Sequence, residues 1–329
     1  MPISIVVGGQ FGSEGKGKVA HYLAIEKHAS VAVRCGGSNS GHTVIDKDRK
    51  PQIFRHLPTA AILPDIELAL CAGSCIDISV LQEEIQRVNV ETERLSIDPY
   101  AVIITEEHKA LEADSSLREK IASTGSGTGA AVVSRIQRRN TVFAKDMPQL
   151  AKYIKEVNAD LRKRLDRKER IILEGTQGFG LSPLHSGMNP YVTSRDTTAA
   201  GFLSEAGLSP FDVDEIVLVI RAFPIRVGGN SGPLANEIDW DTISRESGGQ
   251  AICEYTSVTN HIRRVGRFDP GIVFRAINVN KPTSIVLNHM DFISNGDARM
   301  SFVDWVQSCV GRPIDYIGLG RSCCDLMRL

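Results

Sequence analysis

Apolar residues gather in short runs along this chain, with polar and helix-forming stretches between them. The runs are 3–7, 31–34, 67–70, 101–105, 171–173, 215–220 and 284–287. The first, Ile3-Ser4-Ile5-Val6-Val7, ends in glycines, as a buried strand feeding a tight turn does. From Leu150 onward, Tyr153, Ile154, Val157, Leu161 and Leu165 follow the 3.6-residue period of an amphipathic helix. Val80, Leu81, Ile85 and Val88 make a shorter stripe of the same kind. Strands alternating with helices predict an α/β fold, a mainly parallel central sheet with helices on both faces. No internal repeat or low-complexity linker divides residues 1–329, so one domain with long functional loops is expected. Sites in such sheets lie at the carboxyl ends of strands. The glycine-rich turn after Val7 is at such an end.

Composition narrows the field without choosing a function. The chain is 42 % hydrophobic and 23 % charged, as ordinary globular proteins are. Its net charge of −1 gives no polycationic character for nucleic acid or an anionic membrane, and neither is expected as a partner. No basic and apolar leader opens the chain, and no segment approaches the ~20 apolar residues that cross a bilayer. Seven cysteines, including Cys71 and Cys75 and the adjacent Cys323 and Cys324, have no histidines at zinc spacing. Reduced thiols in a cytoplasmic protein are the expectation.

The chemistry begins in the turn, where residues 8–18 read G-G-Q-F-G-S-E-G-K-G-K. Glycines let the backbone approach an anion, and a helix starting near Lys16 offers it free N–H groups. Gly12 to Lys18 fits the P-loop pattern G-x-x-x-x-G-K, but Val19 stands where a Ser or Thr would hold magnesium. The eleven-residue string is more specific. It resembles the phosphate loop of adenylosuccinate synthetases, G-x-Q-W-G-D-E-G-K-G-K, with Ser13 in place of the aspartate.

Five further segments resemble the same family, in order. Ser38-Asn39-Ser40-Gly41-His42-Thr43 is similar to its N-A-G-H-T segment, whose histidine assists phosphoryl transfer. Proton donation by such a group typically contributes ~10²–10⁴-fold. Ser123-Thr124-Gly125-Ser126-Gly127-Thr128-Gly129 looks like the T-G-x-G-x-G loop that contacts the nucleoside monophosphate, although a flexible linker would read much the same. Arg138-Arg139 matches an arginine pair whose first member reaches the neighbouring subunit's substrate, which implies a homodimer. An isolated pair of arginines is more often a solvated face. Glu174-Gly175-Thr176-Gln177-Gly178 and Pro190-Tyr191-Val192-Thr193-Ser194 resemble the segments that hold the purine base and phosphate. The stretch 254–269 is similar to the aspartate-binding loop, with His261 and Asn260 replacing an arginine and a glycine. Asn288-His289-Met290-Asp291 stands where the family reads T-K-L-D, and Gly318-Leu319-Gly320 where it has S-x-G-P.

The resemblance covers nearly the whole chain and implies a ligase. In the family, GTP phosphorylates the 6-oxygen of IMP, and the amine of aspartate then displaces phosphate. Carried onto this sequence, it implies that Ser13, Lys16 and His42 are catalytic. Gly12, Glu14, Gly15, Lys16, Gly17, Lys18, Gly41, His42, Thr43, Asn288, Asp291, Gly318 and Gly320 would bind the donor triphosphate. Ser13, Asn39, Ser123, Thr124, Gly125, Arg138, Gln177 and Thr193 would bind a purine nucleoside monophosphate. Val258, Thr259, Arg263 and Arg264 would bind L-aspartate, and Ser13 with Gly41 would ligate Mg2+.

Serine is a poor base and a weak magnesium ligand. Guanine differs from hypoxanthine by an amino group beside N1, and a carboxylate packed there would crowd it. Serine leaves room and can accept from an N–H. The same replacement resembles the phage-type branch of the family, the 2-aminoadenylosuccinate synthetases. These join aspartate to dGMP, with ATP or GTP as donor, in phage DNA modification. The corresponding compartment would be the host cytoplasm. Ordinary synthesis from IMP and GTP stands as the alternative, and a nucleotide-binding regulator without turnover as a reading of another class.

Overall fold

A computed structural model describes residues 2–256 and 261–329. Nine strands form the central sheet. They are β1 (Ile3–Gly8), β2 (Val31–Arg34), β3 (Glu67–Leu70), β4 (Leu95–Ile97), β5 (Ile171–Glu174), β6 (Val213–Arg221), β7 (Ser284–Asn288), β8 (Tyr316–Gly318) and β9 (Leu326–Arg328). Their order is β9-β8-β7-β6-β1-β5-β2-β3-β4. Every neighbouring pair is parallel except β8 with β9, which closes one edge antiparallel. The α/β expectation is borne out.

Strand β1 shows why the middle of the sheet is apolar throughout. Ile3, Ile5 and Val7 enter the large core under one face, and Val6 enters the core under the other. The second core is closed by the helix Lys16–Glu26 through Val19, Ala20, Leu23 and Ala24. Ser4, also buried, is satisfied by donating to Glu215 Oε2 at 2.7 Å. Truncating Ile5 to alanine would cost about 2–5 kcal/mol and open a cavity beside the phosphate loop.

Two of the expected elements differ. The run 101–105 gives only Val102–Ile103, which pairs with Cys75–Ile76 outside the central sheet. The helical stripe from Leu150 is interrupted, with a 3-10 segment over Pro148–Tyr153 and an α-helix over Val157–Asp166. Between them Ile154 bridges to Ile97, and Lys155 N–H donates to the Ile97 carbonyl at 3.1 Å. The unpaired edge of β4 captures this backbone, which outweighs the helical period there.

From β1 the chain moves outward through β2, β3 and β4, returns as β5, then crosses to β6 and β7 on the other side. The carboxyl ends of β1, β2, β5, β6 and β7 therefore surround one crevice, where an open α/β sheet places its ligands. No helix among the described residues is long and apolar enough to cross a membrane.

Candidate active site

Strand β1 delivers its glycines into a loop built around a buried carboxylate. Glu14 Oε1 accepts from the N–H groups of Gln10 (3.1 Å) and Gly12 (2.8 Å), and Oε2 accepts from Lys16 Nζ at 2.7 Å. A side chain at Gly8 would collide with this carboxylate. Glu14 is thus the organiser of the loop, and its side chain faces inward rather than towards a ligand. Gly12 and Gly15 take positive φ, as glycine does at low cost. Ser13 takes φ 56° as well, and its side chain is exposed.

The helix Lys16–Glu26 starts at Gly15 without a side-chain cap and without acidic residues in its first turn. Its free N–H groups make it receptive to an anion. Lys18 Nζ donates to the Gly320 carbonyl at 2.8 Å. Burial pushes its ammonium down to about 8, against the raising pull of Asp291 and Asp325. A phosphate beside it would restore the charged form. Asn288, at the end of β7, donates to the Glu14 carbonyl at 2.8 Å, and its buried Oδ1 has no partner. It steadies the loop from behind. Burial likewise raises Asp291.

His42 opens the short strand His42–Ile45, close against Gly17. Its Nδ1 lies 2.5 Å from Glu174 Oε1 at the end of β5. Glu174 Oε2 accepts from both the backbone N–H (2.8 Å) and the hydroxyl (2.9 Å) of Thr59. Arg34, at the end of β2 and opposite Glu174 in register, places Nη1 3.6 Å from Oε1. The same guanidinium donates to the carbonyls of Phe54, Leu57 and Ser40, each at 3.1 Å. Burial, then Arg34, pushes the His42 imidazole down to about 4 despite the carboxylate beside it. Against the cost of burial, the His42 hydrogen bond holds Glu174 below its ordinary range. Gly41 and Asn39 are half-buried beside this group, whereas Thr43 is exposed.

The glycine-hydroxyl run is partly filled from within. Glu112 is buried and accepts from the N–H groups of Gly127 (2.8 Å), Gly129 (2.6 Å) and Ala130 (3.2 Å). These donors sit at the start of the helix Thr128–Gln137, so they already have a carboxylate. Ser123, Thr124 and Gly125 precede them and are half-buried. Arg138 is exposed at the far end of the same helix, at φ 58°.

Gln177 packs on the phosphate loop with its carbonyl against Gly8, and its buried Oε1 has no partner. Thr193 N–H donates to the Leu181 carbonyl at 2.8 Å. Of the amino-acid loop, Val258 and Thr259 lie outside the described residues. Arg263 is there, donating to Glu254 at 3.1 Å. Arg264 turns elsewhere, to both oxygens of Glu237 (2.8 and 2.6 Å), to Ser231 Oγ (3.1 Å) and to the Gly232 carbonyl (2.7 Å). Gly318 packs against Asn288 and Lys18.

Residues from distant motifs thus meet at one crevice: the phosphate loop, His42, Gln177, Asn288, and Lys18 with Gly320. Sequence reasoning passed over Arg34, Arg221 and Glu112, and it placed Glu174 and Glu254 within family segments without giving either a role of its own. Three of these share a readable signal, since Arg34, Glu174 and Arg221 are each the charged last residue of an apolar parallel strand.

The chain is similar to known proteins along almost its whole length. The family model for adenylosuccinate synthetase matches residues 5–147 and 140–299. The adenylosuccinate synthetase of Methanocaldococcus jannaschii is 36 % identical over 333 residues, covering 96 % of this chain and 94 % of its own. That of Thermococcus onnurineus is 36 % identical over 336 residues, covering 97 % and 96 %. Among solved structures, the succinoaminodeoxyadenylate synthetase (PurZ) of cyanophage S-2L, bound to dGMP and to dATP as energy donor, superposes with a TM-score of 0.87. It is 29 % identical, with 99 % of this chain and 95 % of that one covered. The fully ligated Plasmodium falciparum adenylosuccinate synthetase shares the fold, with a TM-score of 0.90, 19 % identity and full coverage of both chains.

Proposed function

This chain belongs to the adenylosuccinate synthetase family of C–N bond-forming ligases, and within it we propose that its monophosphate substrate is dGMP. The observation that carries the proposal is Ser13. A small, neutral, exposed side chain stands at a left-handed position of the phosphate loop, where the family has a carboxylate. The 2-amino group of guanine has room beside a hydroxyl that can accept from it. Likeness over almost the whole chain to a phage enzyme bound to dGMP supports the same choice. The product is then 2-amino-2′-deoxyadenylosuccinate.

In this reaction the donor's γ-phosphoryl passes to O6 of the purine, the β,γ P–O bond breaks to leave a nucleoside diphosphate, and the N1 proton passes to water. The amine of aspartate then forms the C6–N bond while the C6–O bond breaks and phosphate leaves. Lys16 and Lys18, with the open N-terminus of the helix Lys16–Glu26, hold donor phosphates. His42 donates to the oxygen that gains charge, and Glu174 fixes the imidazole. Gln177 offers its unpartnered Oε1 to the base, Asn39, Ser123, Thr124, Gly125 and Thr193 receive the monophosphate, and Arg263 receives a carboxylate of aspartate. Asp291, Gly318 and Gly320 face the donor base. The donor is a purine triphosphate, ATP or GTP.

Magnesium fits this site as an ion held mainly by substrate phosphates. Among the described residues no group of three His, Cys, Asp or Glu could hold a metal. The two donors that the family resemblance assigns to it, Ser13 Oγ and the Gly41 carbonyl, are neutral. Such a set suits an ion that keeps several waters and phosphate ligands. When bound, it neutralises charge on the transferring phosphoryl group.

Aspartate-dependent phosphate release with dGMP, GMP, dIMP and IMP, each with ATP and GTP, tests the proposal. Turnover on dGMP at least tenfold above IMP is expected, and Ser13→Asp should reverse the preference. The second reading, IMP with GTP, is favoured by the archaeal relatives, which are ordinary synthetases at 36 % identity. Turnover on IMP alone would establish it.

A further inference from the structure

Arg221 is the last residue of β6 and is fully buried, yet no motif of the sequence contains it. Its backbone is clasped by one side chain, since Gln10 Oε1 accepts from its N–H at 2.9 Å and Gln10 Nε2 donates to its carbonyl at 3.1 Å. The guanidinium bridges two loops. Nη1 donates to the Ser13 carbonyl at 2.9 Å and to Glu254 Oε2 at 3.2 Å, and Nη2 donates to Glu254 Oε1 at 2.5 Å. Glu254 also accepts from Arg263 at 3.1 Å and lies 3.6 Å from His289 Nδ1.

Two guanidinium groups therefore share one carboxylate, and the buried Nε atoms of both Arg221 and Arg263 have no partner. The cluster holds a surplus of positive charge and unused donors. On one side it grips the backbone of Ser13, a non-glycine residue held in the left-handed region. On the other it ends at Arg263, on the amino-acid loop.

We propose that Arg221, acting through Glu254, is a positioning residue that couples the amino-acid site to Ser13, so that filling either substrate site strengthens binding at the other. This rests on the assignment of Ser13 to the monophosphate and of Arg263 to aspartate. A carboxylate of the amino acid takes up the surplus charge of Arg263 and fixes the shared carboxylate. Arg221 is then fixed as well, and with it the Ser13 carbonyl. The second ligand meets a loop already ordered, which produces positive coupling.

The test is calorimetric titration of the full chain with dGMP and, separately, IMP, in the presence of Mg2+ and the β,γ-imido analogues of ATP and GTP. Each titration is run with and without saturating L-aspartate. Aspartate should tighten monophosphate binding at least about 5-fold in the wild type. In Arg221→Met/Glu254→Gln, which removes the bridge to Ser13 as a pair and leaves Arg263 to the carboxylate of the amino acid, the factor should fall below about 2-fold. The near-isosteric Glu254→Gln alone should lower it in the same direction. A merely structural role would weaken each ligand separately and leave the ratio intact, which overturns the proposal. So does a wild-type ratio near one. Because the ratio is read with whichever monophosphate binds, a protein that prefers IMP would sink the dGMP assignment and leave the coupling standing. Binding of neither monophosphate would overturn both.

Discussion

His42 Nδ1 and Glu174 Oε1 are 2.5 Å apart, and this contact decides which imidazole nitrogen can face the reaction. Glu174 is held ionised, so Nδ1 carries the proton between them and Nε2 is left as an acceptor. Nε2 can donate only after a second proton arrives, which anionic phosphates nearby would favour. Glu174→Gln keeps the shape and removes the charge that supports the imidazolium. It should lower kcat on the order of 10–100-fold, short of the ~10²–10⁴-fold expected for His42→Asn. Monophosphate KM should barely change in steady-state assays. A rise in KM with kcat preserved would mean that Glu174 shapes binding instead.

Stability should fall in a defined window of pH. Burial holds His42 at about 4 and His56 and His289 at about 3, against an ordinary value near 6.5. As pH drops, the unfolded chain takes up protons before the folded one does. The stability these neutral histidines contribute is complete above about 6.5 and drains as pH falls towards 4 and below. Glu254 behaves differently. Against the cost of burial, Arg221 holds it at about 2, so its share is complete above 4.5 and is lost towards 2. Scanning calorimetry should give a flat Tm above pH 7 and a decline setting in near 6.5. A Tm that stays flat down to pH 5 would show that the histidines are not held neutral.

The central strands of the sheet and the phosphate loop were legible because their signals are local. Val31–Arg34 and Glu67–Leu70 form as their apolar runs indicate, and the glycines after Val7 turn where they must. Strands β4, β8 and β9 escaped because three residues carry too little pattern, and the sheet edge decides their pairing. The helical period at Ile154 failed for the same reason, since a neighbouring strand claimed its backbone. The crevice could be assembled from motifs, but its ionic wiring could not. Glu174 with His42 and Arg221 with Glu254 are separated by 132 and 33 positions, and each pair joins a strand end to a segment outside the central sheet, which only the folded chain brings together.

Glu112 offers a test of how the glycine-hydroxyl loop works. Its carboxylate takes three N–H donors at the start of the helix Thr128–Gln137, inside the glycine-hydroxyl run. Glu112→Ala leaves those donors without a partner and should cost about 1–3 kcal/mol, read as a lower urea midpoint. If Glu112 shapes the loop for Ser123 and Thr124, monophosphate KM should rise several-fold at the same time. A fall in KM would instead mark Glu112 as a stand-in that the substrate phosphate displaces.

Arg138 supplies the test of shared sites. Its guanidinium is exposed at the end of the helix Thr128–Gln137, directed to no partner within its own crevice among the described contacts. If it completes the site of a second copy, Arg138→Ala and His42→Asn should each be nearly inactive alone. Mixed one to one after exchange of subunits, half of the dimers pair an intact Arg138 with an intact His42 across the interface. Each such dimer has one complete site of two, so activity should return to roughly a quarter of wild type. Rescue also requires a concentration-dependent dimer in sedimentation. If the mixture stays as inactive as its parts while dimers form, Arg138 serves the crevice of its own chain, and if Arg138→Ala alone keeps wild-type activity, Arg138 belongs to the solvated surface.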